Sequence, residues 1–220
     1  MSRCLVSLSE QVFFTVVTSA LEAFNLDHVI KAKDEKQNQV ETYGHLWGYV
    51  TKSGLGESVY RIVMADTSTA AERDTGSTTP APGSYEAKQQ FVDAFFPEIG
   101  FIGDYHSHPY AEEKERIKTE LEIERGEFHR FSRADFVDAK YQQEELGRNY
   151  RIGLVATVYE RNAPVQRQSK HLDEGSCIRF QYEDHTIWLK AYVWSGKDYR
   201  RKSDKMVHLI CPNLGFNAEL

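Results

Sequence analysis

The chain has 220 residues, of which 40% are hydrophobic, so it can form one sizeable core and wholesale disorder is excluded. The formal net charge of −6 argues against a general nucleic-acid binder, which needs a basic surface to displace phosphate counterions. The three cysteines, Cys4, Cys177 and Cys211, are far apart and form no CxxC pair, so neither a disulfide framework nor a cysteine-ligated zinc cluster is indicated. No apolar run approaches the roughly twenty residues of a membrane span, and no cleavable signal is apparent, so we expect a soluble, cytoplasmic protein.

The first predicted element is an amphipathic helix, because apolar residues recur every four positions between Leu8 and Phe24. Ser7 followed by Glu10 predicts a capping box at its start. The polar segment Lys31–Gln39 that follows is expected to be a connection.

Two strands are predicted next, Glu41–Val50 and Val59–Ala65, with a glycine-containing turn at Ser53–Gly56 between them. The segment Asp66–Ser84 is rich in Thr, Ser, Ala, Gly and Pro. That composition predicts a long mobile loop.

Ser84 is expected to cap a second helix that ends at Pro97. The predicted apolar face of this helix consists of Phe91, Val92, Phe95 and Phe96. A short strand, Phe101–His106, follows, and we expect Pro109 to end it.

The run Glu112–Glu127 is highly charged with a narrow apolar stripe, which predicts a largely exposed helix. Another short helix is predicted at Ser132–Tyr141. Three further strands are predicted at Arg151–Tyr159, Cys177–Tyr182 and Thr186–Trp194, before an irregular tail that contains the basic loop Lys197–Lys205. Helices and strands alternate without repeats or a linker, so residues 1–220 are expected to form one α/β domain.

The first motif that indicates chemistry is Gly103-Asp104-Tyr105-His106-Ser107-His108-Pro109. Residues two apart in a strand point to the same face, so His106 and His108 can project their imidazoles side by side. Two neutral imidazoles can supply two ligands of a tetrahedral zinc site. Taken alone, such a pair is more often two half-buried or surface histidines.

Two further motifs carry carboxylates. Ser132-Arg133-Ala134-Asp135 is typical of a helix N-terminus, where Ser132 caps, but Asp135 in that first turn could also ligate a metal. Glu41 precedes a Gly44-x-Leu46-x-Gly48 strand, and alone it is typical of an exposed strand start. The glycines of that strand could reflect close packing of another backbone.

Together, a glutamate ahead of G-x-L-x-G, then G-x-Y-H-S-H-P, then S-x-x-D resembles the JAMM motif of the MPN-plus (JAB-domain) family. Over residues 5–160, the order of motifs and elements is similar to that of this family of zinc-dependent isopeptidases and peptidases. The resemblance implies an MPN-like α/β fold with a curved mixed sheet flanked by helices. It also implies Zn²⁺ bound by His106, His108 and Asp135, with Glu41 as general base and Ser132 stabilising the oxyanion.

The implied reaction is amide or isopeptide hydrolysis, and the implied substrate is a ubiquitin-like protein with a glycine-ended tail. The chain departs from the family in having an insertion, residues 110–130, between the histidines and Asp135, so that Asp138, one turn further on, is an alternative ligand. Residues 161–220 form strands and a tail beyond the resemblance. The alternatives are a non-catalytic MPN scaffold and a zinc amidase or processing protease that acts on other substrates. Neither membrane nor nucleic acid is expected as a partner, and the oligomeric state is left open.

Overall fold

The computed structural model describes residues 3–30, 35–74, 76–110, 117–145, 150–161, 166–195 and 206–217. Its helices are α1 (Glu10–Asn25), α2 (Ser84–Phe95), α3 (Glu120–Arg125) and α4 (Arg133–Glu145). Its first strands are β1 (Arg3–Leu8), β2 (His28–Ile30), β3 (Glu35–Gln37), β4 (Tyr43–Lys52), β5 (Ser58–Ala65), β6 (Glu72–Asp74) and β7 (Ser77–Thr79). The later strands are β8 (Gly100–Tyr110), β9 (Tyr150–Glu160), β10 (Lys170–Leu172), β11 (Cys177–Tyr182), β12 (His185–Ser195) and β13 (Met206–Ile210).

Nine of these strands form one mixed sheet, in the order β10-β11-β12-β9-β8-β4-β5-β1-β13. The β8–β9, β1–β5 and β1–β13 pairs are parallel, whereas the other pairs are antiparallel. The sheet curls until its edge strands approach, since His171 Nε2 on β10 lies 2.9 Å from the Leu209 carbonyl oxygen on β13. The expected mixed α/β class is confirmed.

Helix α1 packs against the inner face of the curl. Its buried residues Val12, Val16 and Phe24 share one core with strand residues from both ends of the sheet, such as Ile178 and Leu209. The other three α-helices of the described chain, α2, α3 and α4, pack on the outer face of the sheet. The candidate site lies on that outer face.

Both ends of the described chain differ from prediction. The capping box at Ser7 is wrong, because Ser7 lies within β1 and Ser9 caps α1 by accepting a hydrogen bond from the Val12 N–H at 3.3 Å. The tail is not wholly irregular either, because Met206–Ile210 pairs in parallel with β1. Strand pairing distant in sequence overrides the local signal in both places.

The glycines of β4 are required by close backbone approach. A Cβ atom on Gly44 would lie 1.8 Å from the carbonyl oxygen of Asp66, and one on Gly48 would lie 1.9 Å from that of Arg61. Any larger residue at either position would push β4 out of place. The predicted strands at 41–50 and 59–65 and the turn between them are confirmed as β4 and β5.

Helix α2 and the loop before it were predicted only in part. The N-cap is Gly83, in a left-handed conformation without a side-chain cap, so the prediction of Ser84 as the cap is wrong. Of the predicted apolar face only Val92 is buried, against Trp47 and Phe101, while Phe91 and Phe95 are 58% and 67% exposed. The segment Asp66–Ser84 also contains the β6–β7 hairpin.

The insertion packs more closely than its charge suggests. Strand β8 passes through Pro109, which lies opposite Val158 of the parallel strand β9, so the predicted end at Pro109 is wrong. Helix α3 covers only Glu120–Arg125, so the predicted helix is shorter than expected. Most residues of 117–127 are exposed, as predicted, while Ile117 and Ile123 are buried against Trp188. A neighbouring carboxylate, Glu120, is buried too.

Several predicted segments lie outside the described residues, namely parts of the polar connection (31–34) and of the charged run (112–116) and the whole basic loop (197–205). The helix predicted at 132–141 and the last three predicted strands are confirmed as α4, β9, β11 and β12. Among the helices that the structure describes, none combines the length and apolar character needed to cross a membrane.

Candidate metal centre

Strands β4 and β8 present the candidate site on their outer face. They pair antiparallel, with Tyr43 opposite His106 and His45 opposite Asp104. Alternation along β8 puts Asp104, His106 and His108 on the same face, and all three are buried. Glu41 lies just before β4 and is 8% exposed.

The ligand atoms of the three predicted metal ligands lie close together. His106 Nε2 and His108 Nε2 lie 3.0 Å apart, and Asp135 Oδ2 lies 3.4 Å and 3.3 Å from them, respectively. The ligand atoms of these three residues form the one such group of His, Cys, Asp or Glu found within the described chain. A strand therefore supplies two donors, and the first turn of α4 supplies the third.

The spacing of these atoms suits a tetrahedral metal ion. Zinc with bonds of about 2.0–2.1 Å has ligand–ligand edges of about 3.3–3.4 Å, and the three observed edges lie at or slightly below that length. Two imidazole nitrogens and one carboxylate oxygen are also a donor set that zinc accepts, with a fourth position open. The residues present therefore fit the implied Zn²⁺.

Asp135 is held as an anion. Burial alone would raise the pKa of this carboxyl group, but its hydrogen bonds to His106 and His108 outweigh burial and set the pKa far below its usual range. The Ser132 N–H also donates to Asp135 Oδ2 at 2.6 Å. The alternative ligand Asp138 has a raised pKa, owing to burial and the neighbouring Asp135, and lies outside the converging group.

The end of the insertion contacts the histidines directly. His108 Nδ1 lies 3.5 Å from the Phe128 carbonyl oxygen, and the Phe131 ring packs on His106 with centroids 4.9 Å apart. Tyr192 on β12 accepts a hydrogen bond from the Phe131 N–H at 3.0 Å. At His108, donation from Nδ1–H to this carbonyl would leave Nε2 unprotonated and able to bind a metal in place of its hydrogen bond to Asp135.

A cavity of about 720 Å³ opens on one side of the ligands. We call it the Glu41 cavity, because Glu41 lines it together with His106 and Asp135. The β7 strand and the N-terminal turn of α2 also contribute to its walls. Glu41 thus shares a cavity with two of the ligands without belonging to the converging group.

A second cavity, of about 750 Å³, adjoins the ligands through His108. We call it the Lys190 cavity, and it is lined by His108 and Ser132 as well as by Lys190. The Ser132 Oγ accepts from the Asp135 N–H at 3.2 Å, so its own hydrogen can be donated to another acceptor. Each of the five predicted site residues therefore lines one of these two cavities.

Two polar networks in this region were not predicted. In the first, Asp104 forms a buried ion pair with Arg151 and accepts from the Tyr43 hydroxyl at 3.3 Å. In the second, Asp66 accepts from Trp47 Nε1 at 2.7 Å and pairs with His45 and Lys88. The polar residues at alternate positions of β4 were the only sequence signal for these networks.

A third network anchors the insertion. Asp173 pairs with Arg130 at 2.7 Å, with His129 at 3.0 Å and with Lys190 at 2.8 Å. Burial by itself raises the pKa of Asp173, but hydrogen bonds from His129, Arg130 and Lys190 lower it far below the usual range. The C-terminal strands beyond the resemblance therefore help to hold the segment that carries Phe131 and Ser132.

No protein-family model matches the chain, and neither does any curated protein. Among solved structures, the N-terminal domain of STIL from Trichoplax adhaerens is similar with a TM-score of 0.39 and 11% sequence identity. The matched region covers 86% of this chain and 42% of that one. A similarity this distant assigns neither a fold family nor a function.

Proposed function

We propose that this protein is a zinc metallopeptidase of the JAMM type, with an MPN-like fold. The observation that carries the proposal is the convergence of His106, His108 and Asp135 beside a cavity lined by the buried Glu41. A scaffold without catalysis has no need for a carboxylate base and a hydroxyl donor next to such a group. The proposal therefore favours an enzyme over an interaction module.

Each residue has a distinct part in the proposed reaction. When bound, a zinc ion supplies Lewis acidity that polarises the scissile carbonyl and lowers the pKa of water. Glu41 accepts the proton of the attacking water and returns it to the leaving nitrogen. Water adds its hydroxyl to the acyl carbon, the carbon–nitrogen bond breaks, and the amine leaves with the transferred proton. The Ser132 hydroxyl donates to the developing oxyanion.

The proposed substrate is a protein with an extended, glycine-ended tail, as in ubiquitin-like proteins. Such tails dock by adding a strand to a sheet edge. Strand β7 supports this choice, because it lines the Glu41 cavity and, within the described chain, pairs only with β6. Small residues in the tail would let its backbone pass close to the ligands.

The test is a panel of ubiquitin-like proteins fused through their C-terminal glycine to a reporter or to a lysine side chain. The purified protein should contain about one zinc per chain and cleave at least one substrate. Removal of the metal by a chelator should abolish cleavage, and added zinc should restore it. A protein that binds no zinc, or whose cleavage is indifferent to the chelator, would contradict the proposal.

A further inference from the structure

Phe131 lies between the candidate metal centre and the C-terminal part of the chain. Its ring packs on His106 with the centroids 4.9 Å apart, and on Tyr192 of β12 with the centroids 4.5 Å apart. It also directly precedes Ser132, where the turn that carries Asp135 begins. The position of Phe131 therefore bears on two ligands at once, on one through its ring and on the other through the backbone.

The outer face of the sheet has a recess for this ring at Gly153 of β9. Gly153 lies opposite Asp104 of β8 on one side and opposite Tyr192 of β12 on the other. A Cβ atom at Gly153 would lie 2.6 Å from Phe131 Cζ, well inside the separation at which carbon atoms pack. Because position 153 has no side chain, the Phe131 ring can settle between the strand that carries the histidines and β12.

Tyr192 holds the backbone of Phe131 as well as its ring. The Tyr192 hydroxyl oxygen accepts a hydrogen bond from the Phe131 N–H at 3.0 Å, and this bond is buried. A buried N–H without a partner is costly, so the backbone at residue 131 stays where the hydroxyl is. The Tyr192 ring is itself stacked on Trp194, with an angle of 3° between the ring planes, which keeps the hydroxyl in place.

Such an anchor is needed because the insertion, residues 110–130, separates the two histidines from the aspartate of the candidate centre. A connection of this length does not by itself fix the distance between its ends, since the cost of closing a loop changes only slowly with its length. Asp173 anchors two residues at the end of this segment, His129 at 3.0 Å and Arg130 at 2.7 Å. Tyr192 anchors the next residue, so three consecutive residues are held by side chains from the C-terminal part of the chain.

We propose that Tyr192 is a positioning residue of the metal centre. It holds Phe131 in the recess on β9, and Phe131 in turn sets the directions of two ligands, His106 and Asp135. Groups that orient metal ligands in this way typically change metal affinity by about 10–100-fold when they are mutated. The role of Tyr192 rests on the metal centre of the proposed function and not on the reaction, so metal binding alone can test it.

The experiment uses the full chain and the variant Tyr192→Phe, which removes only the hydroxyl. The affinity for Zn²⁺ is measured by competition with a chelator, and the visible absorption spectrum of the Co²⁺-loaded protein reports the geometry of the ligands. The matched control is Tyr105→Phe, which also removes a buried hydroxyl, one that bonds to Ser19 and Thr67 in the core beneath α1. Thermal unfolding of each protein separates a loss of stability from a change at the centre.

Tyr192→Phe should weaken Zn²⁺ binding by about tenfold or more and shift the Co²⁺ absorption bands. Tyr105→Phe should lower the unfolding temperature and leave both metal readouts at the parent values. A folded Tyr192→Phe protein with the parent affinity and spectrum would overturn the positioning role while leaving the metal centre intact. A parent protein that binds neither Zn²⁺ nor Co²⁺ would overturn the metal centre, and with it both the proposed peptidase and the role of Tyr192.

Gly153→Ala decides the question if Tyr192→Phe does not fold. The added methyl group occupies the recess and displaces the Phe131 ring, so this variant should also weaken Zn²⁺ binding by about tenfold. Its matched control is Gly100→Ala, at a position where a Cβ atom meets nothing within 4 Å, and it should bind Zn²⁺ like the parent. Parent affinity in Gly153→Ala would show that the ligands do not depend on the position of Phe131, which overturns the proposal.

Discussion

Ser132 and Asp135 hydrogen-bond to each other in both directions. The Asp135 N–H donates to Ser132 Oγ at 3.2 Å, and the Ser132 N–H donates to Asp135 Oδ2 at 2.6 Å. That same oxygen faces the Nε2 atoms of His106 and His108. One turn of backbone therefore both caps α4 and aims a carboxylate at the candidate metal, so the capping and ligand interpretations of this motif are compatible.

The Ser132→Ala variant separates the roles of the Ser132 hydroxyl from the role of the Ser132 N–H, which orients Asp135. The variant keeps the Ser132 N–H that orients Asp135, so zinc should stay bound, while loss of the cap should lower the free energy of unfolding by about 1 kcal/mol. Loss of the hydroxyl that we propose as oxyanion donor should lower kcat about 10²–10³-fold. Ser132→Thr keeps a hydroxyl and should recover much of both losses. If the alanine variant loses its zinc instead, the hydroxyl is needed to hold the ligand.

Glu41→Gln should abolish hydrolysis and leave the zinc content near that of the parent, because Glu41 is the base of the proposed reaction and lies outside the converging group. Metal analysis and a peptidase assay measure the two effects. Glu98→Gln, at an exposed position after α2, is the matched control and should behave like the parent. Loss of zinc from Glu41→Gln would make Glu41 a ligand.

His106→Ala, His108→Ala and Asp135→Ala should each lower zinc occupancy and abolish activity, since each removes one of three donors. The fold should persist, because the core of a protein this size does not depend on one metal. His28→Ala, at a half-buried histidine that is distant in sequence from the ligands, should keep full occupancy. The decisive comparison is Asp138→Ala: retained zinc supports Asp135 as the third ligand, and lost zinc would move that role to Asp138.

The contribution of the insertion to stability can be tested at its buried residues. Ile123 is fully buried against Trp188, so Ile123→Ala should lower the free energy of unfolding by about 2–4 kcal/mol. Leu121 lies on the same helix and is 46% exposed, so Leu121→Ala should change stability by only about 0.5 kcal/mol. Denaturant unfolding of both variants measures the difference. If both variants lower the free energy of unfolding by equally small amounts, Ile123 does not contribute a buried contact and α3 is exposed on all sides.

Asp66 should give stability a specific pH dependence. Burial alone would raise its pKa, but hydrogen bonds from His45 and Lys88 lower the pKa from 3.8 to about 2. The folded state therefore favours the carboxylate, and this contribution is present above pH 4 and is lost as the pH falls through about 2. Asp66→Asn should cost at most about 2 kcal/mol at pH 7, and its difference from the parent should narrow steadily below about pH 4. A difference independent of pH would show that charge at Asp66 does not stabilise the fold.

Local patterns predicted much of the fold. Helix α1 follows from its four-residue apolar repeat, and strands β4, β5, β9, β11 and β12 and helix α4 lie where strand-like and helical segments were predicted. Predictions failed where partners are distant in sequence. Strand β1 forms by pairing with β13 on one side and β5 on the other, and nothing within the β1 or β13 segment indicates that pairing.

The sequence by itself determined which side chains could form the centre: two histidines at strand spacing, an aspartate in the first turn of a helix, and a glutamate before a glycine-rich strand. Their residue types and spacing are local properties, so they can be recognised in a single chain. Only the tertiary structure decided that three donor atoms converge within 3.4 Å, because α4 and β8 are brought together across an insertion. It also decided that the insertion is anchored by Ile123 and by the ion pairs of Asp173, since those contacts join segments more than 40 residues apart. Burial against distant strands has no local signature, and for that reason the charged run did not reveal that Ile123 and Glu120 are buried.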